Sequence, residues 1–263
     1  MRLRTSLLTT IVTTENMPDK PLTISNHVNS SLVRQSSFLA SLPTELQTDM
    51  AQQFRLEEWK KGSPINPTVL LSRFYTLLDG QIEMTRSNPE SGREVTLDVI
   101  YPGDSFDVVT LLDNKPHNML ISPLSNLKLM SIPIELMRQW LWTYPELNKQ
   151  FLPYLASKMR DQENLSTSFA LHDVSTRLSR IILKHINKVN AYTGEQQDEH
   201  QHHLINDLSD EALARMAGSV RQVVNKQLQH WKSQNILDKK RKKLLITDLA
   251  ALYEEAHFTE SRL

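Results

Sequence analysis

Glycine is scarce in this chain, and where it falls limits what the chain can fold into. There are six glycines in 263 residues, and Gly62, Gly80, Gly92 and Gly103 all lie between Lys60 and Asp104. In so glycine-poor a chain, each marks a tight turn or a left-handed backbone position. Around them run "VLLSRFYTLL", "QIEMTRS", "EVTLDVIY" and, later, "LKLMSI". Short apolar and β-branched segments separated by turns predict an all-β antiparallel sandwich or barrel. In the preceding "FLASLPTELQTDMAQQF", Phe38, Leu39, Leu42, Leu46, Met50 and Phe54 recur at three and four residues. That spacing predicts one helical face.

After the strands the period becomes helical. Ser131 can cap a helix with Pro133 in its first turn, carrying Leu136, Met137, Trp140 and Leu141, and Pro145 opens another. From Pro145 to about Leu171 no glycine occurs, and Leu147, Phe151, Tyr154, Leu155, Met159, Leu165 and Phe169 form an approximate apolar stripe. A helix this long needs support along its length, either from a second copy in a coiled-coil dimer or from its own chain. Pro153 is expected to kink it, with Gln162 on or near the seam. "DVSTRLSRIILKHINKVNAYTG" predicts an amphipathic helix ending at Gly194, and "EQQDEHQHH" a solvated loop. His200, His202 and His203 are metal-ligand types, but a loop lacks the outer shell that fixes ligands, so no metal is assigned.

The most informative stretch is "DEALARMAGSVRQVVNKQLQHW". Ser209 or Asp210 caps a helix carrying Leu213, Ala214, Met216 and Ala217, Gly218 makes a turn, and Val220, Val224, Leu228 and Trp231 bury a second helix. Helix, glycine turn and helix at this small-residue spacing form a helix-turn-helix, whose second helix enters the major groove. Arg221, Gln222, Asn225, Lys226 and Gln229 face outward, and these are side chains that read guanine, adenine and phosphate. "NILDKKRKKLLIT" follows as a hairpin with Lys239, Lys240, Arg241, Lys242 and Lys243 at its tip. Between Leu204 and Thr247 nine Lys/Arg face four Asp/Glu, the electrostatic footprint of a duplex binder.

Over the whole chain the charge balances, 30 basic against 30 acidic, and there is no cysteine. This excludes disulfides, thiolate metal sites and a cysteine nucleophile, and it fits a cytoplasmic protein. No apolar run reaches the roughly 18 residues that span a bilayer, so no membrane association is expected. "MRLRTSLLTTIVTTENM" is expected to be a disordered tail, or to precede a true start at Met17. No nucleophile elbow, phosphate-binding glycine loop or metalloprotease helix indicates an enzyme.

The markers "KKG" at Gly62, "LLDGQIEM" at Gly80, "YPGD" at Gly103, "LHDVSTRLSRIIL" and the helix-turn-helix occur in an order that resembles the bacterial transcription regulators related to the cyclic-AMP receptor protein and the fumarate and nitrate reduction regulator (CRP/FNR). The resemblance spans about Ser36 to Ala256. It implies an α+β chain: a cyclic-nucleotide-binding-type β-roll sensor (36–144), a long dimerisation helix (145–172) and a C-terminal winged helix-turn-helix (173–263), with 1–35 disordered or an extension. It also implies double-stranded DNA, a second copy and RNA polymerase as partners. DNA contacts would fall on Ser219, Arg221, Gln222, Asn225, Lys226, Lys240, Arg241 and Lys242, with His172 and Asp173 at the interdomain hinge. Gln222 replaces a common glutamate, Val220 and Val223 replace hydroxyl residues, and Gln227 stands at a commonly apolar position.

Departures in the sensor are larger. In "SFDVVTLLDNKPHNMLISP", Asp107 stands where cyclic-nucleotide binders place glycine, Val108 where they place glutamate, and His117 or Asn118 where they place arginine. No arginine occurs between Arg93 and Arg138. A buried cyclic phosphate needs a fixed cation. Asp161, Gln162 and Glu163 fall where the family has adenine-contacting hydroxyls. Cyclic-AMP sensing is therefore not expected, and the absent cysteines argue against the family's iron–sulfur cluster; His117 is a haem-ligand type, but a lone histidine is more often a polar surface residue, and no cofactor is assigned. The sensor is expected to be non-standard or ligand-independent. The alternatives are a cyclic-nucleotide-responsive regulator with a rewritten pocket, and an adaptor that kept the fold without the operator.

Overall fold

A computed structural model describes residues 23–25, 28–63, 65–193, 203–206, 208–240 and 243–257. Strand β1 (Thr23–Ser25) and helices α1 (Ser30–Val33) and α2 (Thr44–Ala51) lead into β2 (Arg55–Trp59), β3 (Arg73–Asp79), β4 (Ile82–Ser87), β5 (Glu94–Ile100) and β6 (Ser105–Phe106). Helix α3 (Val108–Asp113), β7 (Leu120–Pro123), β8 (Leu127–Pro133) and α4 (Ile134–Thr143) complete the roll. Its two antiparallel sheets have the orders β1-β2-β8-β3-β6 and β5-β4-β7. Between them lie Trp59, Tyr75, Leu77, Ile82, Met84, Ile100, Phe106 and Leu129. The glycines do what scarcity predicted: Gly80 has φ +95°, and a Cβ there would stand 2.5 Å from the Asn126 carbonyl oxygen.

Three local expectations are corrected. Phe38, Leu39, Leu42, Met50 and Phe54 are buried, but not along one helix, because Pro43 restricts Leu42 to extended backbone and α2 begins only at Thr44. In "VLLSRFYTLL" the strand starts at Arg73; Pro67–Leu71 is a 3₁₀ turn capped by the Asn66 side chain. Ser131 does not cap a helix. It lies in β8, where its hydroxyl bonds to the buried Glu57 carboxylate and accepts from Arg73 Nε at 2.8 Å. Glu57 is fully buried, and Arg55 at 2.7 Å supplies its counter-charge. Helix α4 therefore begins after Pro133 with no side-chain cap. The packed core also reaches N-terminal of Ser36, since Val33 is fully buried and β1 pairs with β2.

The long helix α5 runs from Pro145 to Leu171 with Pro153 inside it. Its first turns are core: Leu147, Phe151 and Tyr154 pack with α1, α2 and α4 over the outer face of the five-stranded sheet. Beyond them Met159 of the stripe is 65% exposed, and Leu152, beside the stripe, is 59% exposed. Gln162 turns toward the roll, donating Nε2 to the Leu97 carbonyl at 3.1 Å. Lys158, 3.5 Å from Asp98 and 3.3 Å from Asp104, is pushed above its ordinary value by those carboxylates despite its burial.

Two residues on, α6 (Val174–Thr193) starts the second unit, which continues through β9 (His203–Asn206), α7 (Asp210–Met216), α8 (Arg221–Ser233), β10 (Leu237–Lys240), β11 (Lys243–Ile246) and α9 (Leu249–Glu255). His203 begins a strand rather than ending a loop: β9 pairs with β11, which pairs with β10. His200 and His202 lie outside the described residues. Val99 and Leu124 of the roll pack against this second core, so the unit covers the outer face of the three-stranded sheet while α1, α2 and α4 cover the other side of the roll.

Candidate nucleic-acid interface and sensor roll

The helix-turn-helix is built from its caps inward. Ser209 Oγ accepts from Ala212 N at 3.2 Å, and Asp210 and Glu211 occupy the first turn of α7, where carboxylates complement the helix dipole. At its other end Ser219 N donates to Ala214 O at 2.9 Å across Gly218, which has φ +57°. This is the glycine-terminated helix end that the sequence placed there. The glycine has a second cause: a Cβ would meet the Phe169 ring of α5 at 2.5 Å. Val224, Leu228 and Trp231 bury α8 completely on one side.

The opposite side is what a groove would meet. Arg221, Gln222, Asn225, Lys226 and Gln229 are all exposed, and Ser219 is half-buried at the turn. Arg221 pairs with Glu211 at 2.8 Å, both partners in solvent, a contact that a base edge can displace at little cost. Val220, expected to help bury α8, is instead exposed, because it stands at the N-cap ahead of the first helical turn; with exposed Val223 it leaves two methyl surfaces where the family often carries hydroxyls. In the hairpin Lys240 is 84% exposed and Lys243 is exposed, but Lys239 is turned back onto Asp210 of α7. It thereby fixes the hairpin to the helix instead of extending the basic tip. Arg241 and Lys242 lie outside the described residues.

In the sensor, the segment after "YPGD" holds an internal pair. Asp107 holds the left-handed conformation, φ +57°, at the position the resemblance assigns to glycine. Its Oδ1 lies 2.9 Å from Nδ1 of His117, which stands at the arginine position. Val108 is buried. Arg138, beyond the segment, donates Nε to Leu111 O and Nη2 to Thr110 O, each at 2.7 Å, satisfying the C-terminal carbonyls of α3. Inside the roll Tyr75 stacks on Phe106 with centroids 5.5 Å apart, and Trp59 lies 5.1 Å from Tyr75. Burial and the nearby Glu57 carboxylate hold the Tyr75 phenol well above its ordinary value.

Two polar contacts across the units were not foreseen from the residues. Arg215 of α7 grips Glu83 of β4 with both Nε, at 3.0 Å, and Nη2. Glu83 is fully buried and also accepts from Thr96 Oγ1 at 2.7 Å. Tyr101 Oη lies 3.0 Å from His185 Nδ1 of α6, and burial lowers the His185 pKa to about 4. At the hinge Asp173 caps α6 by accepting from Thr176 N at 2.8 Å, a hydrogen bond that holds its carboxyl below the ordinary range.

Comparison with known proteins agrees with this architecture. Residues 70–144 match the cyclic nucleotide-binding domain family, and residues 176–255 match the Crp-like helix-turn-helix domain family. The chain is 25% identical over 184 residues to a CRP-like cAMP-activated global transcriptional regulator of Mycobacterium tuberculosis, covering 70% of this chain and 80% of that one. It is 28% identical over 190 residues to the global nitrogen regulator of Synechocystis sp., with the same coverage. Among solved structures, FixK2 from Bradyrhizobium japonicum superposes with a TM-score of 0.63 at 13% identity, over 78% of this chain and 98% of that one. These relatives are regulators, not enzymes. With sensor roll, long helix and Crp-like helix-turn-helix in one order, the chain belongs to the CRP/FNR family of DNA-binding transcription regulators.

Proposed function

We propose that the chain is a cytoplasmic, homodimeric, sequence-specific regulator whose roll does not respond to cyclic nucleotides. The observation that carries the DNA-reading half is the solvent-facing row Arg221, Gln222, Asn225 and Lys226, held outward by the fully buried Val224, Leu228 and Trp231. Residues 36–144 form the sensor, 145–172 the dimer helix and 173–263 the reader, and RNA polymerase is the further partner. Leu152 and Met159, seven residues apart and exposed on α5, supply apolar contacts for a second copy. Among the described residues no helix is long and apolar enough to cross a membrane.

Arg221→Ala is expected to cost about 1–3 kcal/mol at one base pair of each half-site and to relax specificity there. Lys240→Ala should weaken binding to all duplexes alike and flatten the salt dependence. Half-site centres should lie about 10–10.5 base pairs apart. Selection from random duplexes followed by titration checks all three. Equal losses on specific and random DNA for Arg221→Ala would remove its assigned role, and failure to enrich any motif would favour the adaptor.

Insensitivity to cyclic nucleotides rests on the Asp107–His117 pair at 2.9 Å. A phosphate arriving there meets a carboxylate already held by the histidine, and a ligand without differential affinity shifts no equilibrium. Operator affinity is expected to be the same with and without cyclic AMP or cyclic GMP at fixed salt. A tenfold gain, about 1.4 kcal/mol of coupling, would establish the cyclic-nucleotide-responsive alternative.

A further inference from the structure

We propose that the groove between α5 and α6 binds an organic anion with a long apolar body, a fatty-acid-like carboxylate, and that its occupancy sets how the DNA-reading unit seats on the roll. The second half rests on the proposed function; the first does not.

The groove encloses about 530 Å³, within the range of small-molecule sites. Leu165 and Phe169 of α5, Ile181 of α6 and Met216 of α7 form its apolar walls. Along α6 it is lined by Arg177, Arg180, Lys184 and Lys188, whose spacing of three and four residues puts them along one side of the helix. Asp161 is the only carboxylate in the lining. Such walls favour a ligand that is apolar along its length and negative at an end.

Which end is set by the partners these cations already have. Lys184 is matched by Asp161 at 3.1 Å, and Lys188 by Asp104 at 3.7 Å. Of the two arginines, Arg180 directs its Nε to the Ala256 carbonyl at 2.9 Å, and Arg177 lies against the apolar wall. Its Nε donates to Ala217 O at 2.8 Å and its Nη1 to His172 O at 2.7 Å, both uncharged acceptors, and its guanidinium lies 5.5 Å from the Phe169 ring centre. Among the described residues no carboxylate lies within ion-pair distance of it. The nearby Asp173 carboxylate is engaged at Thr176 N. His172 is held below its ordinary value by desolvation first, with Arg180, His257 and Arg177 adding to the shift and Asp173 opposing it. A carboxylate head therefore belongs at Arg177, whose Nη2 has no hydrogen-bond partner among the described residues, and the chain lies along Phe169, Leu165 and Ile181.

The site also spans both units. Leu165 and Phe169 belong to the long helix, whereas Met216 and the Ala217 carbonyl held by Arg177 belong to the helix-turn-helix. A ligand touching both has different contacts in each seating of one on the other, which is the condition for shifting between seatings.

The test uses the full chain and dodecanoate, with dodecanol as the uncharged control, by calorimetry below the micellar range. Dodecanoate is expected to bind at roughly micromolar concentration, and dodecanol about tenfold more weakly for want of the charge-assisted contact. Arg177→Gln should bring the acid down to the alcohol's affinity. Because Arg177 also holds two carbonyls, Leu165→Trp is the second variant: it fills the groove from a half-buried position and should abolish binding of both probes. Equal affinity for acid and alcohol, undiminished binding by Leu165→Trp, or no binding to the wild type would each overturn the site. Operator titration with and without dodecanoate reads the regulatory half. A change of about threefold or more is expected, and an unchanged operator affinity despite measured binding would overturn that half alone. If no operator is found, the calorimetry still decides the site.

Discussion

Arg215→Met is expected to destabilise the folded chain by about 3–5 kcal/mol, the cost of leaving a buried charge without its partner. Glu83 has no solvent exposure, and beyond Arg215 its described side-chain contact is the single hydroxyl of Thr96. The guanidinium grips both carboxylate oxygens, the geometry that arginine offers and lysine does not. Glu94, 3.7 Å from Arg215 and partly exposed, cannot replace that cation for Glu83. The reverse change, Glu83→Gln, should cost less, because Arg215 keeps Glu94 beside it and some access to water. The double variant Glu83→Leu/Arg215→Met should recover most of the loss, since a well-packed apolar pair avoids both desolvation penalties. Urea unfolding of the natural chain, Arg215→Met, Glu83→Leu and the double variant closes the cycle. A loss under about 1 kcal/mol for Arg215→Met would mean that Glu83 reaches water when the arginine is removed, and that the second unit is not held to β4 by this pair. If it is so held, Glu83→Gln should also change operator affinity, because the orientation of α7 on the roll is then loosened.

That pair shows why part of this molecule could not be read in advance. "IEMTRS" alternates, and alternation correctly puts Ile82 and Met84 in the roll, but it predicts Glu83 on a solvated face. The face is dry only because α7 covers it, and nothing local to β4 encodes a contact made with a residue 132 positions away. The strands around the glycines and the helix-turn-helix were legible because their causes are local: period, caps and a left-handed glycine at Gly218. The start of the long helix was legible in Pro145, whereas the Asp173 cap that opens α6 just beyond its end was not read from the residues. Where two local rules compete, periodicity lost: the apolar spacing from Phe38 to Phe54 suggested a helix, and Pro43 broke it. Strand β9 was missed because "HLIN" is too short to carry a period and forms only by pairing with β11. At the interface, exposure of the α8 row followed from the buried one, whereas the inward turn of Lys239 depended on Asp210 standing opposite. In the sensor, Asp107 at a glycine position came from the resemblance; its left-handed backbone and its histidine partner came from the structure.

Acid should release the same junction through a different group. His185 is buried on α6 against Tyr101, at the end of β5, and burial lowers its pKa to about 4, from an ordinary histidine value near 6.5. The phenol of Tyr101 is held well above its ordinary value by burial and then by Asp98 and Asp104, so it stays neutral throughout and offers no charge to balance an imidazolium. Folded chains therefore bind fewer protons here than unfolded chains between those two values. Stability from this group is complete above about pH 6.5, falls as the pH drops toward about 4, and is level below that, for a total of about 3 kcal/mol. The Asp173 carboxylate, whose pKa the Thr176 hydrogen bond lowers, loses its contribution at lower pH, so the two groups act in separate windows. His185→Gln can keep a hydrogen bond to Tyr101 but cannot titrate. Urea unfolding at a series of pH values from 7 to 4.5 should show a steady decline for the natural chain and a much flatter line for the variant. Parallel declines would mean that His185 is protonated in place, with Tyr101 and α6 yielding to accommodate it. In that case neither the burial nor the neutral hydrogen bond would be what holds α6 to the roll.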